Sequence, residues 1–210
     1  MTSQLTDARR KLRPNDPSMP LPFQDVAYLR HGTVAQQTAY YALTTSNLLP
    51  LLQAYQPLLV GTVPIDLQQP GSDLDIVCAV YDLGAFEALV QAQFGHYPDF
   101  AVRRTERQGY PSIVVGFTLG EWPIELFGQP VPSAQQHGYR HLLIEHRLLT
   151  LGGAAFRARV HAQRAAGLKT EPAFATALGL AGDPYAALLA LETCSDAELQ
   201  TRYFPISTTE

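Results

Sequence analysis

The 210-residue sequence has few charged residues and few cysteines. Lys, Arg, Asp and Glu together make up 16% of it, and two cysteines occur, Cys78 and Cys194. They lie far apart and form no Cys-x-x-Cys or Cys/His spacing, so we expect two reduced core thiols. The low charge, together with 46% hydrophobic residues, argues against general disorder and predicts a sizeable core.

Two further absences bear on location and partners. No apolar run reaches the ~18 residues of a membrane-spanning helix, and the first residues contain no apolar signal core. We therefore expect a cytoplasmic protein without a membrane partner. The net charge of -4 argues against binding to bulk DNA or RNA, which would require a basic surface. The sequence does not indicate an oligomeric state.

Proline, glycine and hydrophobic periodicity divide the chain into three parts. Residues 1–22 are polar and Pro-rich, which predicts a flexible N-terminal tail. Residues 23–132 contain helical patterns, two strand-like runs, an amphipathic helix and three more strand-like runs. Residues 133–210 show helical patterns separated by Pro and Gly, which predict a C-terminal helical region packed on the core. This order predicts an α+β fold, because the later strands cluster without crossover helices.

The stretch "PGSDLDIVCAV", residues 70–80, places Asp73 and Asp75 at the start of an apolar run. Residues two apart on a strand point to the same face, so the two carboxylates should project together and repel each other. Oxygen ligands in this arrangement suit Mg²⁺ or Mn²⁺ better than zinc. A polar turn, in which Ser72 or Asp73 caps backbone N–H groups, is the simpler interpretation.

The residues on either side of the aspartates extend the pattern. "VGT", residues 60–62, lies upstream, and Asp73 follows Gly61 by twelve positions, while "WPIELF" offers Glu125 on a later strand. This combination resembles the nucleotidyltransferase fold of the DNA polymerase beta superfamily. Longer stretches, "PLLVGTVPIDLQQPGSDLDIVC", "IELFGQPVP" and "QQHGYRHLLIEHRLL", resemble the DUF4269 group of bacterial proteins, which is regarded as nucleotidyltransferase-like.

The resemblance implies a minimal nucleotidyltransferase-like mixed sheet flanked by helices. It also implies Mg²⁺-dependent (or Mn²⁺-dependent) transfer of a nucleotidyl group from an NTP to an unidentified acceptor. The metal-binding and catalytic residues would be Asp73, Asp75 and Glu125. The nucleotide would be contacted by Gly61, Thr62 and Ser72.

The sequence also departs from the superfamily pattern. The loop "VPIDLQQ" after Thr62 carries no cation, and the third carboxylate is glutamate where aspartate is commoner. A second hypothesis is therefore a non-catalytic nucleotide- or partner-binding protein on the same fold, such as a component of a toxin–antitoxin-like pair. A third is an enzyme of the antibiotic nucleotidyltransferase kind, which shares the core.

The stretch "HGYRHLLIEHR" contains a second cluster of polar residues. His137, His141 and Glu145 are each four residues apart and would share one helical face. Zinc sites of the His-Glu-x-x-His kind need glutamate after the first histidine, where Gly138 stands, which disfavours zinc. Either this face is solvated, or it lines the cleft through Arg140, His141 and Glu145.

Two groups of basic residues have simple interpretations. Arg103 and Arg107 share a strand face and either neutralise a phosphate or solvate an edge strand, and we favour the edge strand. A solvated helix face is the prediction for the basic residues after position 150, namely Arg157, Arg159, Arg164 and Lys169.

Overall fold

The computed structural model describes residues 23–205, so the predicted tail at residues 1–22 lies outside the described part. Within it, the strands are β1 (Leu58–Val60), β2 (Leu74–Ala79), β3 (Ala101–Arg107), β4 (Tyr110–Leu119) and β5 (Trp122–Gln129). The helices are α1 (Val34–Thr45), α2 (Leu48–Leu51), α3 (Leu83–Phe94), α4 (His137–Ala165), α5 (Thr170–Leu178), α6 (Pro184–Ala190) and α7 (Asp196–Tyr203). None of these helices is long and apolar enough to cross a membrane.

The five strands form one mixed sheet in the order β1-β2-β5-β4-β3. Only the central β2–β5 pair is parallel, whereas β1–β2, β5–β4 and β4–β3 are antiparallel. Short turns join β3 to β4 and β4 to β5, so the three predicted strand-like runs form two consecutive hairpins. The α+β prediction, with a small mixed sheet flanked by helices and helices following it, is confirmed.

The sheet separates two hydrophobic cores, because alternate residues of each strand point to opposite faces. On one face, Leu59, Ile76 and Leu126 pack with α1 and α3. On the other face, Val60 and Val77 pack with the helices that follow residue 136. The helical region thus covers the β1–β2 side of its face, while β3 at the opposite edge is exposed along most of its length.

Local sequence signals explain most helix boundaries. The Asp82 carboxylate accepts hydrogen bonds from the N–H groups of Gly84 and Ala85 at 2.9 and 3.0 Å, which starts α3. Helix α4 changes direction at Gly153, whose φ of 59° lies in the left-handed region. Helix α7 begins at a capping box formed by Ser195 and Glu198.

The start of α4 is fastened to the central strands. The buried Gln136 amide donates hydrogen bonds to the Cys78 carbonyl at 2.8 Å and to the Val131 carbonyl at 2.9 Å. Two residues later, Gly138 packs so closely that an added Cβ would lie 3.2 Å from Val77 Cγ1. These contacts hold the first turns of α4 against β1 and β2.

The predicted solvated helix face is only partly observed, because Arg159 and Lys169 are exposed whereas Arg157 and Arg164 are half-buried. Arg157 does not lie on a solvated face, because its guanidinium donates a hydrogen bond to the Ile65 carbonyl at 2.7 Å. Arg164 likewise donates to the Leu168 carbonyl at 2.9 Å. Arg157 therefore connects α4 to the backbone of the loop that follows Gly61.

We expect Gln136→Ala to lower the free energy of unfolding by about 2 kcal/mol, because it leaves two inward-facing carbonyls without their donor. Urea denaturation measures the change. The matched control is Gln135→Ala at the exposed neighbouring position, which should change stability by less than ~0.5 kcal/mol. Equal effects of the two substitutions would contradict the anchoring role of Gln136.

Candidate active site

Carboxylates from two central strands meet on one face of the sheet. Asp75 of β2 is paired in register with Glu125 of β5, so the two side chains project side by side from adjacent parallel strands. Asp73 lies exposed just before β2 and acts electrostatically on both carboxyl groups. The structure therefore brings the three predicted carboxylates into one region.

Gly61 leaves space for the carboxylate of Asp75. Its φ is 75°, and an added Cβ would overlap with the carboxylate of Asp75. A side chain at position 61 would thus strain the backbone and displace Asp75 at the same time. Thr62 is buried immediately afterwards, at the start of a 3-10 turn over Val63–Ile65.

Ser72 lies in the turn that leads to the aspartates. Its hydroxyl accepts a hydrogen bond from the Gln69 N–H at 2.9 Å, and its own N–H donates to the Gln69 carbonyl at 2.9 Å. These bonds are the local turn contacts that the simpler interpretation expected. Contact between Ser72 and a nucleotide stays a prediction.

A cavity of about 250 Å³ opens in front of the sheet carboxylates. The sheet side contributes Asp75 and Glu125, and the helical side contributes His141 and Glu145 from α4 and Glu171 from α5. The cavity is thus a cleft between the sheet and the helical region, with acidic groups on both walls. The rest of its lining is mostly apolar: Val60, Gly61, Ile76, Val77, Phe127, Gly138 and Leu142.

Two of the three α4 residues that were predicted to line the cleft do so. His141 and Glu145 line the cavity and are only 5% and 3% exposed. Arg140 instead pairs with Glu192, with Nε hydrogen bonds of 3.2 and 3.1 Å and an Nη2 bond of 2.5 Å. His137, which the zinc interpretation had included, forms a 3.0 Å hydrogen bond with the Gln108 amide.

Glu171 is the cavity residue that sequence reasoning missed. It lies in the first turn of α5, where an acidic residue favours the helix dipole and needs no functional explanation. No motif surrounds it. Only the packing of α5 against α4 brings its carboxylate to the cavity, so no local signal could have identified it.

Burial, together with neighbouring like charges, raises the pKa of the cavity carboxyl groups and so favours their neutral forms. Burial, followed by the charges of Asp73, Glu125 and Glu171, raises the pKa of Asp75 to about 8. Burial and the charge of Glu171 raise the pKa of Glu145 well above its ordinary value. The raised values show how unfavourable it is to ionise both walls of the cavity together.

Nearby cations partly offset this effect at Glu125. Burial and Asp73 raise the pKa of the Glu125 carboxyl, whereas Arg103, Arg107 and Lys169 lower it. Both arginines lie on β3, which is the edge strand that the sequence predicted, and by register they share the sheet face of Glu125. The sheet thus supplies the positive charge that the loop after Thr62 lacks.

The carboxylates fit a divalent cation. Among residues 23–205, no hydrogen bond is donated to the side-chain carboxylate of Asp75 or Glu125, and no Lys or Arg forms an ion pair with either. Unpaired, crowded carboxylates are unfavourable unless a bound proton or a cation compensates their charge. An all-oxygen donor set from Asp73, Asp75 and Glu125 is the type that Mg²⁺ or Mn²⁺ prefers.

Comparison with protein families gives a match over most of the chain. Residues 41–191 match the model described as "Domain of unknown function (DUF4269)". The chain belongs to the DUF4269 family. No curated protein matches the sequence significantly.

Solved structures with a similar fold include a poly(U) polymerase and the polymerase core of an RNA surveillance complex. A Cid1 poly(U) polymerase bound to MgATP is 13% identical, with a TM-score of 0.48, and the match covers 66% of this chain and 46% of that one. The GLD-2/RNP-8 complex is 11% identical, with a TM-score of 0.43 and coverage of 88% and 77%. The polymerase core of TRAMP is 16% identical, with a TM-score of 0.42 and coverage of 79% and 58%. At these identities the likeness concerns the fold, and this chain spans less than half of Cid1.

Without divalent cations, the pH dependence of the protein's stability should depend on the Asp75 carboxyl group. Between its ordinary pKa near 3.8 and its raised pKa of about 8, the folded protein binds more protons at this group than the unfolded chain does. The free energy of unfolding should therefore fall as pH rises, by up to ~1.4 kcal/mol per pH unit from this group.

Asp75→Asn removes the titrating group, so its stability should fall less steeply than that of the wild type between about pH 4 and pH 8. Urea denaturation across this range measures both slopes. Glu121→Gln, an exposed change in the β4–β5 turn, should keep the wild-type slope. Parallel curves for wild type and Asp75→Asn would contradict the raised pKa.

Proposed function

We propose that the protein is a Mg²⁺-dependent nucleotidyltransferase that transfers a nucleotidyl group from an NTP to an acceptor hydroxyl. The observation that carries this proposal is the register of Asp75 with Glu125 beside Gly61, in a cleft where neither carboxylate has a protein partner among the described residues. This is the arrangement that the family resemblance implied. The acceptor is not identified by these residues.

In this proposal, Asp73 and Asp75 bind the metal ions that accompany the nucleoside triphosphate, and Glu125 completes the ligand set. Bound Mg²⁺ supplies neutralisation of phosphate charge and polarisation of the reacting oxygens. The turn at Gly61 brings backbone close to the phosphates, because no side chain intervenes. Thr62 and Ser72 are the hydroxyls nearest in sequence to this turn and to the aspartates.

The transfer step forms one bond and breaks one. The acceptor oxygen attacks the α-phosphorus, and the bond between that phosphorus and the oxygen leading to the β-phosphate breaks. Pyrophosphate leaves with the bonding electrons. The hydroxyl proton passes to the Glu125 carboxylate, which faces the cavity from β5.

Nucleotide titration tests this proposal. We expect isothermal titration calorimetry to detect binding of at least one of ATP, GTP, CTP and UTP that requires Mg²⁺. Asp75→Asn should weaken this binding by at least ~10-fold, because it removes a charged ligand, whereas Glu121→Gln should not. Absence of Mg²⁺-dependent binding by the wild type would overturn the proposal.

Pyrophosphate release with a panel of acceptors separates an enzyme from a binding protein. Release that Asp75→Asn abolishes supports transfer. Nucleotide binding without release to any acceptor would favour the second hypothesis, a non-catalytic nucleotide-binding protein on the same fold.

The arginines of β3 are candidates for the phosphate-binding cations. They lie on the same sheet face as Glu125, and their positive charges lower the pKa of its carboxyl group. We expect Arg103→Ala and Arg107→Ala each to weaken NTP binding by about tenfold, since a charged hydrogen bond contributes at least ~1.5 kcal/mol.

Arg104 is a matched control on the same strand. It points to the opposite face and pairs with Glu87 at 2.7 Å. Arg104→Ala should leave NTP affinity unchanged in the same calorimetric titration. If all three alanine variants bind NTP as the wild type does, β3 is only a solvated edge.

A further inference from the structure

The helical wall of the cavity contains a second group of side chains with metal-ligand chemistry. One ligand atom each from His141, Glu145 and Glu171 lies within 4.8 Å of the other two. His141 and Glu145 are one turn apart on α4, and Glu171 comes from the neighbouring α5. None of the three belongs to the carboxylate group on the sheet.

The buried members of this group have polar atoms without partners. His141 Nδ1 and Glu145 Oε1 are both inaccessible to solvent, and neither has a hydrogen-bond partner in the described part of the chain. An unpaired buried carboxylate is costly and an unpaired imidazole nitrogen adds to that cost. Such groups require a proton, a water or a cation to compensate them.

We propose that His141, Glu145 and Glu171 bind a divalent transition-metal ion of the zinc class. Two carboxylates and one neutral imidazole compensate a charge of two, and three protein ligands leave positions open toward the cavity. The imidazole distinguishes this site from the all-oxygen group on the sheet, because nitrogen ligands suit Zn²⁺ whereas Mg²⁺ prefers oxygen and water.

The geometry allows closure of this ligand set. Zinc bonds to imidazole nitrogen and carboxylate oxygen are about 2.1 Å long, so one ion connects atoms up to roughly 4.2 Å apart. The present spacing, at most 4.8 Å, is slightly larger, so the side chains would have to rotate slightly to bind one ion. Glu171 is half-buried in the first turn of α5, so the ion would fasten α5 to α4.

Zinc titration of the full chain, freed of metal by a chelator, tests this site without nucleotide. We expect the wild type to bind one equivalent of Zn²⁺ in competition with a chromophoric chelator. Glu145→Gln and Glu171→Gln should each lower the affinity by at least ~10-fold, as even outer ligand contacts contribute that much. Glu121→Gln, in the exposed β4–β5 turn away from the cavity, should keep the wild-type affinity.

The sheet carboxylates provide the decisive comparison. If Asp75→Asn loses zinc while Glu145→Gln and Glu171→Gln keep it, the ion occupies the sheet site and the proposal is overturned. Absence of stoichiometric binding also overturns it, and then the buried carboxyl is compensated by a proton. Because the titration needs no NTP, failure of the nucleotidyltransferase proposal would not affect its result.

A spectroscopic measurement on the wild type avoids dependence on folding of the variants. Cu²⁺ bound in place of Zn²⁺ should show coupling to one imidazole nitrogen in its electron paramagnetic resonance spectrum. His141→Gln should abolish this coupling, and His137→Gln should preserve it. A wild-type spectrum without nitrogen coupling would contradict His141 as a ligand.

Discussion

The parallel pairing of β2 with β5 is the contact on which the rest of the site depends. It is the single parallel pair in a sheet whose other neighbours are antiparallel, and its register sets Asp75 beside Glu125. A shift of one residue in either strand would turn one carboxylate into the opposite hydrophobic core. Burial of Ile76 and Leu126 in that core therefore fixes the direction of the acidic side chains.

The helical region has two physical effects on this face. Its apolar residues pack on β1 and β2 through Val60 and Val77 and exclude water from one side of the sheet. Its polar residues His141, Glu145 and Glu171 then complete a cavity whose walls repel each other when ionised. Stability gained from packing is thus accompanied by an electrostatic cost that a bound cation would relieve.

Basic residues are distributed so that they influence the cleft without neutralising it. Arg140 is held by Glu192 and Arg157 by a loop carbonyl, so both serve the structure. Arg103 and Arg107 reach Glu125 only from the edge strand. The carboxylates of Asp75 and Glu125 therefore have no ion-pair partner among the described residues. The exposed Arg103 and Arg107 remain accessible to an anionic ligand.

Local patterns in the sequence determined the α+β class, the strand-like runs and most helices, because turn residues, caps and hydrophobic periodicity act over a few residues. They also determined Gly61, Asp73, Asp75 and Glu125 as one candidate group, through spacing and family resemblance. Only the tertiary structure decided which strands are neighbours, that Arg140 turns away while His141 and Glu145 face the cavity, and that Glu171 joins them. These features depend on packing between segments far apart in the chain, so no local sequence pattern could predict them.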